Sequence, residues 1–220
     1  MMDIKWLTDN LLWTEGEMLA GICLMTLIFG WWWSSRLLMI GSVAIFLFCL
    51  YFFRNPERIC DAYQHHEQVL ICPADGKVVA VEQGTHPDIG PVWKVAIFLS
   101  PLDVHVNWIP VDGRITRVTY HPGKFLVAYA PKSSEINERM EVILETPQMQ
   151  HIAIRQIAGL VARRIVCWVH EGDAVAAGDK YGMIKFGSRV EIMVPQHTVR
   201  VEVVVGQHVY GGETVLGRWI

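Results

Sequence analysis

Two apolar runs at the amino terminus constrain this chain more than any other feature. Met18–Trp33 and Leu37–Phe53 are almost unbroken stretches of apolar residues, separated only by Ser34-Ser35-Arg36. A bilayer-spanning helix needs about 20 apolar residues, with a range of about 17–25. Each run falls at the short end of that range. Two readings are open: a pair of short spanning helices, or a hairpin dipping into one leaflet. A buried pair of core helices is the plainer alternative. A cleaved leader fits poorly, because the stretch is long and no small-residue cleavage site ends it. Trp31-Trp32-Trp33 and Tyr51-Phe52-Phe53 close the two runs, and aromatic rings favour the membrane interface. Arg54 and Arg58 come next, which favours the cytoplasmic side of the cell membrane for the rest of the chain. Residues 1–53 are therefore expected to anchor, and 54–220 to form a separate domain.

The hydrophobic fraction, 52%, is high for a soluble protein, and its excess lies before Arg54. A formal net charge of -3 gives no pull toward nucleic acid, so none is expected as a partner. The 5 cysteines (Cys23, Cys49, Cys60, Cys72, Cys167) show no CxxC spacing, which points to free thiols in a reducing compartment. No His/Cys/Asp group has ligand spacing, and no metal is expected.

Beyond Arg54 the chain changes character. Lys77–Val81, Val92–Leu99, Val104–Ile109, Arg114–Tyr120, Glu141–Glu145, His151–Gln156, Ile165–Val169 and Arg200–Val205 are rich in Val and Ile. Turns such as Asp75-Gly76, Asp112-Gly113 and Pro122-Gly123 bound them. This spacing predicts a mainly β fold, a sandwich or barrel, preceded by the N-terminal helical membrane hairpin. Ser133–Met140 suits a short helical turn, and Gln156–Arg164 is ambiguous. A quasi-repeat also appears: Gly172-x-x-Val175-x-x-Gly178 and Gly206-x-x-Val209-x-x-Gly212. Its glycines suit tight turns with positive φ. The pattern looks like the hammerhead turns of lipoyl- and biotinyl-type modules, that is, of barrel-sandwich hybrids.

Between the repeats lies Phe186-Gly187-Ser188-Arg189-Val190. A Gly-Ser dipeptide alone is usually an ordinary turn, but it supports one specific chemistry. A serine hydroxyl in a strained turn can attack the carbonyl carbon before it, and Gly leaves that carbonyl unshielded. The ester then loses its carboxylate by β-elimination, and hydrolysis of the dehydroalanine gives a pyruvoyl group and ammonia. Such a carbonyl condenses with an amine and serves as an electron sink for decarboxylation. A nearby base and an oxyanion donor would assist the first step.

An ordered series of motifs makes that chemistry concrete. It includes Phe53-Arg54-Asn55-Pro56-Glu57-Arg58, Pro73-Ala74-Asp75-Gly76 and Phe98-Leu99-Ser100-Pro101-Leu102-Asp103-Val104-His105-Val106-Asn107. Tyr120-His121-Pro122-Gly123, Asn137-Glu138-Arg139, Gln156-Ile157-Ala158-Gly159 through Arg163-Arg164, and Phe186-Gly187-Ser188-Arg189-Val190 complete it. Over about 170 residues the chain resembles the short, membrane-anchored form of the phosphatidylserine decarboxylases. The resemblance implies cleavage between Gly187 and Ser188 and conversion of Ser188 to the pyruvoyl cofactor. A β chain of 1–187 and an α chain of 188–220 would remain associated. It further implies that Asp75 and His105 act with Ser188, and that the substrate is phosphatidylserine in the membrane.

Two departures stand out. Longer members carry Asp-Tyr-His-x-x-His, where this chain has Asp103-Val104-His105-Val106-Asn107-Trp108, so Trp108 replaces the second histidine. They also carry Leu-Gly-Ser-Thr, where this chain has Phe186-Gly187-Ser188-Arg189. Either His105 serves both steps or His121 supplies the second. Arg163 and Arg164 suit a lipid phosphate, since guanidinium binds it bidentately, and they equally suit a solvated edge. An edge-strand homodimer is a further expectation. The competing reading is a membrane-tethered lipoyl-like carrier or adaptor without catalysis, for which Lys180 is the one modifiable candidate.

Overall fold

A computed structural model describes residues 13–65, 68–126, 133–159, 164–185 and 188–220. It divides into two compact units, Met1–Glu57 and Arg58–Ile220.

The first unit is a helical hairpin of α1 (Trp13–Trp32) and α2 (Arg36–Phe52). Ser35 caps α2 by accepting the Leu38 N–H, which ends one helix and starts the next. The helices run antiparallel: a Cβ added at Gly30 would touch Leu38, and one at Gly16 would meet the Phe53 ring. Midway, the hydroxyls of Thr26 and Ser42 meet at 2.9 Å. Large apolar side chains point outward on both helices, including Met25, Trp31, Trp32, Leu37 and Ile40. Among the described residues no helix is long and apolar enough to cross a membrane.

The second unit is mainly β. Its strands are β1 (Val69–Ile71), β2 (Gly76–His86), β3 (Gly90–Leu99), β4 (Val106–Trp108) and β5 (Gly113–His121). Then come β6 (Arg139–Glu145), β7 (His151–Ile157), β8 (Ile165–Cys167), β9 (Ala174–Val175) and β10 (Lys180–Ile184). β11 (Ser188–Pro195), β12 (Val199–Val201), β13 (His208–Val209) and β14 (Val215–Trp219) complete the set. Two short helices, α3 (Asp61–Gln64) and α4 (Ser133–Ile136), interrupt them. The expected helical turn over Ser133–Met140 is thus confined to its first half, and Arg139 already belongs to β6.

An eight-stranded sheet in the order β13-β2-β3-β11-β7-β6-β5-β9 curls into a half-barrel. Two three-stranded sheets, β1-β14-β12 and β4-β10-β8, complete the unit. All the ladders are antiparallel. Inward-facing Val and Ile of β3, β6, β7 and β11 form the core with Leu70, Ile109, Ile115, Tyr181 and Leu216. Their burial is the main source of stability, at about 25 cal/mol per Å² of apolar surface.

The quasi-repeat proves to be a pair of equivalent turns. Gly172, Gly178, Gly206 and Gly212 all take positive φ, between 77° and 96°. Each donates its N–H to a carbonyl of the core: Ile115, Ile109, Val78 and Cys72 respectively. The edges of the long sheet are the two-residue strands β13 and β9. Edges that short offer an edge-strand dimer little backbone to pair with.

Candidate active site

Ser188 opens β11 at the centre of the long sheet, and it is fully buried. It pairs with Leu99 of β3, while its neighbour Arg189 pairs with Ile157 of β7. Its Oγ has no hydrogen-bond partner among the described residues. A buried hydroxyl of that kind costs free energy unless something else uses it. Gly187, the other half of the expected cleavage bond, lies outside the described residues, as does Phe186.

His105 is brought to the same end of the sheet from two directions. The loop that carries it leaves β3 at Leu99, the partner of Ser188. On the other side, its carbonyl accepts the N–H of Ile184, at the end of the strand that leads toward Ser188. The imidazole is buried, with Nδ1 2.9 Å from the Asp103 carbonyl. A carbonyl only accepts, so Nδ1 carries the proton and Nε2 is the basic nitrogen.

Asp75 is placed behind His105. Its carboxylate accepts the N–H of Val104 at 3.3 Å and that of Gly211 at 2.8 Å. Arg58 grips both carboxylate oxygens and also donates to the Gly211 carbonyl at 2.8 Å. Arg58 is thus half of a largely buried ion pair, 11% exposed at its side chain. The guanidinium also lies over the Trp108 ring, 5.1 Å from its centroid. Trp108 is fully buried against Gly211, where a Cβ would come within 2.4 Å of the ring. The residue that replaces the second family histidine therefore fills a packed slot beside the Asp75–Arg58 clasp. Gly76 secures the turn: its φ is +135°, and a Cβ there would sit 2.1 Å from the Phe98 carbonyl oxygen.

The remaining candidates disperse. His121 ends β5 opposite Arg139. The register continues through Ile157 to Arg189, so His121 shares the Arg189 face and not the Ser188 face of the sheet. Burial and the nearby Arg139 guanidinium lower its pKa below the usual 6.5. Arg164 is exposed, and its carbonyl accepts from Lys185 near the Ser188 end. Arg163 lies outside the described residues. Lys180 sits in β10 opposite Trp108, not at a hairpin tip, which leaves the carrier reading without its modification site. A cleft of about 570 Å³ opens elsewhere, lined by Arg58, Tyr63, Asp112 and Trp219, and neither Ser188 nor His105 borders it.

Comparison with known proteins settles the lineage. The family model described as phosphatidylserine decarboxylase matches residues 45–217. The chain belongs to the phosphatidylserine decarboxylase family. The phosphatidylserine decarboxylase proenzyme of Gluconacetobacter diazotrophicus is 49% identical over 169 residues, covering 74% of each chain. That of Gluconobacter oxydans is 46% identical over 169 residues, with the same coverage. The proenzyme of Chlorobium chlorochromatii is 46% identical over 168 residues, covering 76% of this chain and 77% of the relative.

Within this decarboxylase fold, two features had no role assigned from sequence. One is an ionic layer on the sheet face opposite Ser188. Arg189 pairs with Glu191 at 2.8 Å, Ser134 donates to Glu191 at 2.6 Å, and Arg155 pairs with Glu141. Alternating Arg189-Val190-Glu191-Ile192 reads as a half-exposed strand, yet both faces are covered. The other is a pair of buried amides, Gln156 and Asn107, joined at 2.8 Å. Both lie inside motifs that carry the family resemblance; full burial of an amide between apolar strand neighbours is the signal that marks them.

Proposed function

We propose that this chain is a proenzyme that cuts itself between Gly187 and Ser188 and then decarboxylates phosphatidylserine to phosphatidylethanolamine. One observation carries the reading: a fully buried serine hydroxyl without a hydrogen-bond partner among the described residues, at the start of a central strand and flanked by the His105 loop. The relatives from Gluconacetobacter diazotrophicus and Gluconobacter oxydans are themselves named proenzymes, which supports the same reading.

Ser188 Oγ would attack the Gly187 carbonyl carbon as His105 Nε2 takes up its proton; the Gly187–Ser188 C–N bond then breaks, the freed Ser188 nitrogen takes that proton, and an ester joins Gly187 to Oγ. Elimination frees the Gly187 carboxylate, and water then releases ammonia from the new terminus. The orphaned Oγ suits residue 188 as the source of a pyruvoyl group, whose carbonyl supplies the electron sink that lets CO2 leave. His105, held by the Asp103 carbonyl, would return a proton to the carbon that loses CO2. Asp75 would act at one remove, fixing the backbone beside His105 through Val104. Arg164, and Arg163 beside it in sequence, would meet the lipid phosphate.

Scission would leave the 188–220 segment threaded through the molecule. β11 pairs with β3 and β7, β13 with β2, and β14 with β1, which supports two chains that stay associated. The α1–α2 hairpin, with its outward apolar side chains, would lie in one leaflet of the cell membrane, with the catalytic unit on the cytoplasmic side. A diacyl lipid leaves the bilayer at a cost of about 0.8 kcal/mol per CH2, so the site must meet it at the headgroup level. The paired turns at Gly172–Gly178 and Gly206–Gly212 suit a lipoyl-like ancestry for the β unit.

Intact-mass spectrometry tests the proposal. The purified protein should yield a short C-terminal fragment beginning at residue 188 with a ketone in place of its amine. Ser188→Ala should give one uncut band near 25.0 kDa. A 1–187 fragment in that variant would exclude Ser188 as the agent.

A further inference from the structure

The buried amide of Gln156 has one half committed and one half open. Its Nε2 donates to Asn107 Oδ1 at 2.8 Å and to the Val166 carbonyl at 3.3 Å. A backbone carbonyl cannot donate, so these contacts fix which end of the amide is nitrogen. Asn107 is fixed the same way, donating its Nδ2 to the Val106 carbonyl at 3.1 Å. The strand opposite makes room for the pair: a Cβ at Gly182 would lie 2.7 Å from Gln156 Nε2 and 2.4 Å from the Val166 oxygen.

That leaves Gln156 Oε1, which is buried and has no hydrogen-bond partner among the described residues. Gln156 pairs with Val190 across the β7–β11 ladder. Ser188 lies two residues before Val190 in the same strand, hence on the same face. The two side chains are diagonal neighbours, with Cα atoms about 7–8 Å apart, which a glutamine spans. One buried face therefore presents two unused oxygens: the hydroxyl of the reacting residue and a neutral amide acceptor beside it.

A neutral acceptor in that place discriminates among the groups of a serine headgroup. The phosphodiester and the carboxylate are both anionic acceptors and offer it nothing. Only the amine carries N–H donors. We infer that Gln156 is a specificity-determining residue: its Oε1 accepts from the headgroup amine and turns it toward residue 188, keeping the carboxylate turned away. A headgroup with a quaternary nitrogen has no N–H to give and would leave Oε1 buried and unpaired, so it is rejected. This rests on the decarboxylase reading above.

The test uses the full chain carrying Gln156→Leu or, separately, Gln156→Glu. Cleavage is read on a denaturing gel and carbonyl content by hydrazine labelling. Substrate capture is the share of the 188–220 fragment that, on hydride reduction, gains a short-chain phosphatidylserine less the oxygen lost as water, counted together with the same adduct less CO2. Both variants should cleave and label like the parent. The leucine variant should capture about tenfold less lipid at subsaturating concentration, the worth of one hydrogen bond to a polar or charged donor. The glutamate variant keeps an acceptor but loses the Nε2 donor to Asn107 and Val166, so it is compared only where its circular dichroism matches the parent's, and it should then stay within about threefold of the parent. Undiminished capture by Gln156→Leu overturns the inference, as does equal loss in both variants. Loss of cleavage in both also overturns it, because Gln156 would then serve the Ser188 hydroxyl instead of the substrate. A parent protein that is itself uncut and unlabelled sinks the decarboxylase reading, a distinct result. Should Gln156→Leu fail to fold by circular dichroism, the parent protein decides. Vesicles of N,N-dimethylated phosphatidylethanolamine, whose tertiary ammonium keeps an N–H but cannot condense with the carbonyl, must then suppress capture at least about tenfold more effectively than phosphatidylcholine vesicles, and equal suppression overturns the inference.

Discussion

Asp75 accepts the backbone N–H of Val104 at 3.3 Å, one residue before His105. The same carboxylate is gripped by Arg58 and receives the Gly211 N–H. Asp75→Asn would leave the Arg58 guanidinium only the half-exposed Glu213 carboxylate, 3.5 Å from its Nε, as counter-charge, a loss of about 1.5–3 kcal/mol, that of a hydrogen bond to a charged group. Urea unfolding should show that loss, with slower self-cleavage. Adding Arg58→Ala should cost far less than it does alone, because the two residues form one unit. Full additivity would break the clasp description.

His105→Asn removes the basic nitrogen but keeps a side chain able to reach the Asp103 carbonyl. Self-cleavage should slow, since His105 takes up the Ser188 proton, and CO2 release per carbonyl formed should fall by about 10²–10⁴, the usual contribution of a positioned acid–base group. The melting temperature should hardly move. An active His105→Asn enzyme would remove His105 from the chemistry.

The ionic layer behind Ser188 should govern acid stability. Burial pushes the Glu141 carboxyl up, but the Arg155 and His86 contacts outweigh it and hold its pKa below the ordinary 4.5. A carboxyl depressed in the folded state contributes stability that is complete above its unfolded value. That contribution is lost as pH falls through the folded one. Glu141→Gln should therefore be less stable than the parent at neutral pH, and the difference should shrink below about pH 4.5. Urea midpoints measured from pH 7 to pH 3 would show the two curves converging; parallel curves would contradict the assignment.

Leu24 and Leu47 face outward on the two helices, each 58% exposed. Placing a carboxylate in hydrocarbon is costly, so Leu24→Glu with Leu47→Glu should release the full-length protein from lipid vesicles in a flotation assay. Self-cleavage should continue, since the Ser188 site is built within Arg58–Ile220. A variant that floats like the parent would rule out the hairpin as the anchor.

Much of the fold was legible in local pattern. Alternating Val and Ile mark β3, β5 and β7, and the repeated Gly-x-x-Val-x-x-Gly marks the paired turns whose glycines take positive φ. The strand that matters most was not legible. β11 begins with Gly-Ser chemistry in view, and Ser188 was expected in a strained turn; it instead opens a strand paired on both sides. Nothing local announces that Ser134, Arg155 and Glu141 lie against the charged side of that strand.

The motifs from Phe53 to Val190 by themselves determined the lineage and the general β character and singled out Ser188 as the candidate nucleophile, since short-range composition and motif order carry that information. Which residues meet Ser188 was decided only by long-range register. Pairing of β7 with β11 sets Gln156 on its side, the Ile184–His105 backbone bond holds His105 near its end of the sheet, and the register through β6 and β5 carries His121 to the opposite face. A strand exposes alternate side chains to alternate faces, so one residue of register determines which groups share a chamber, and only the folded sheet fixes that register.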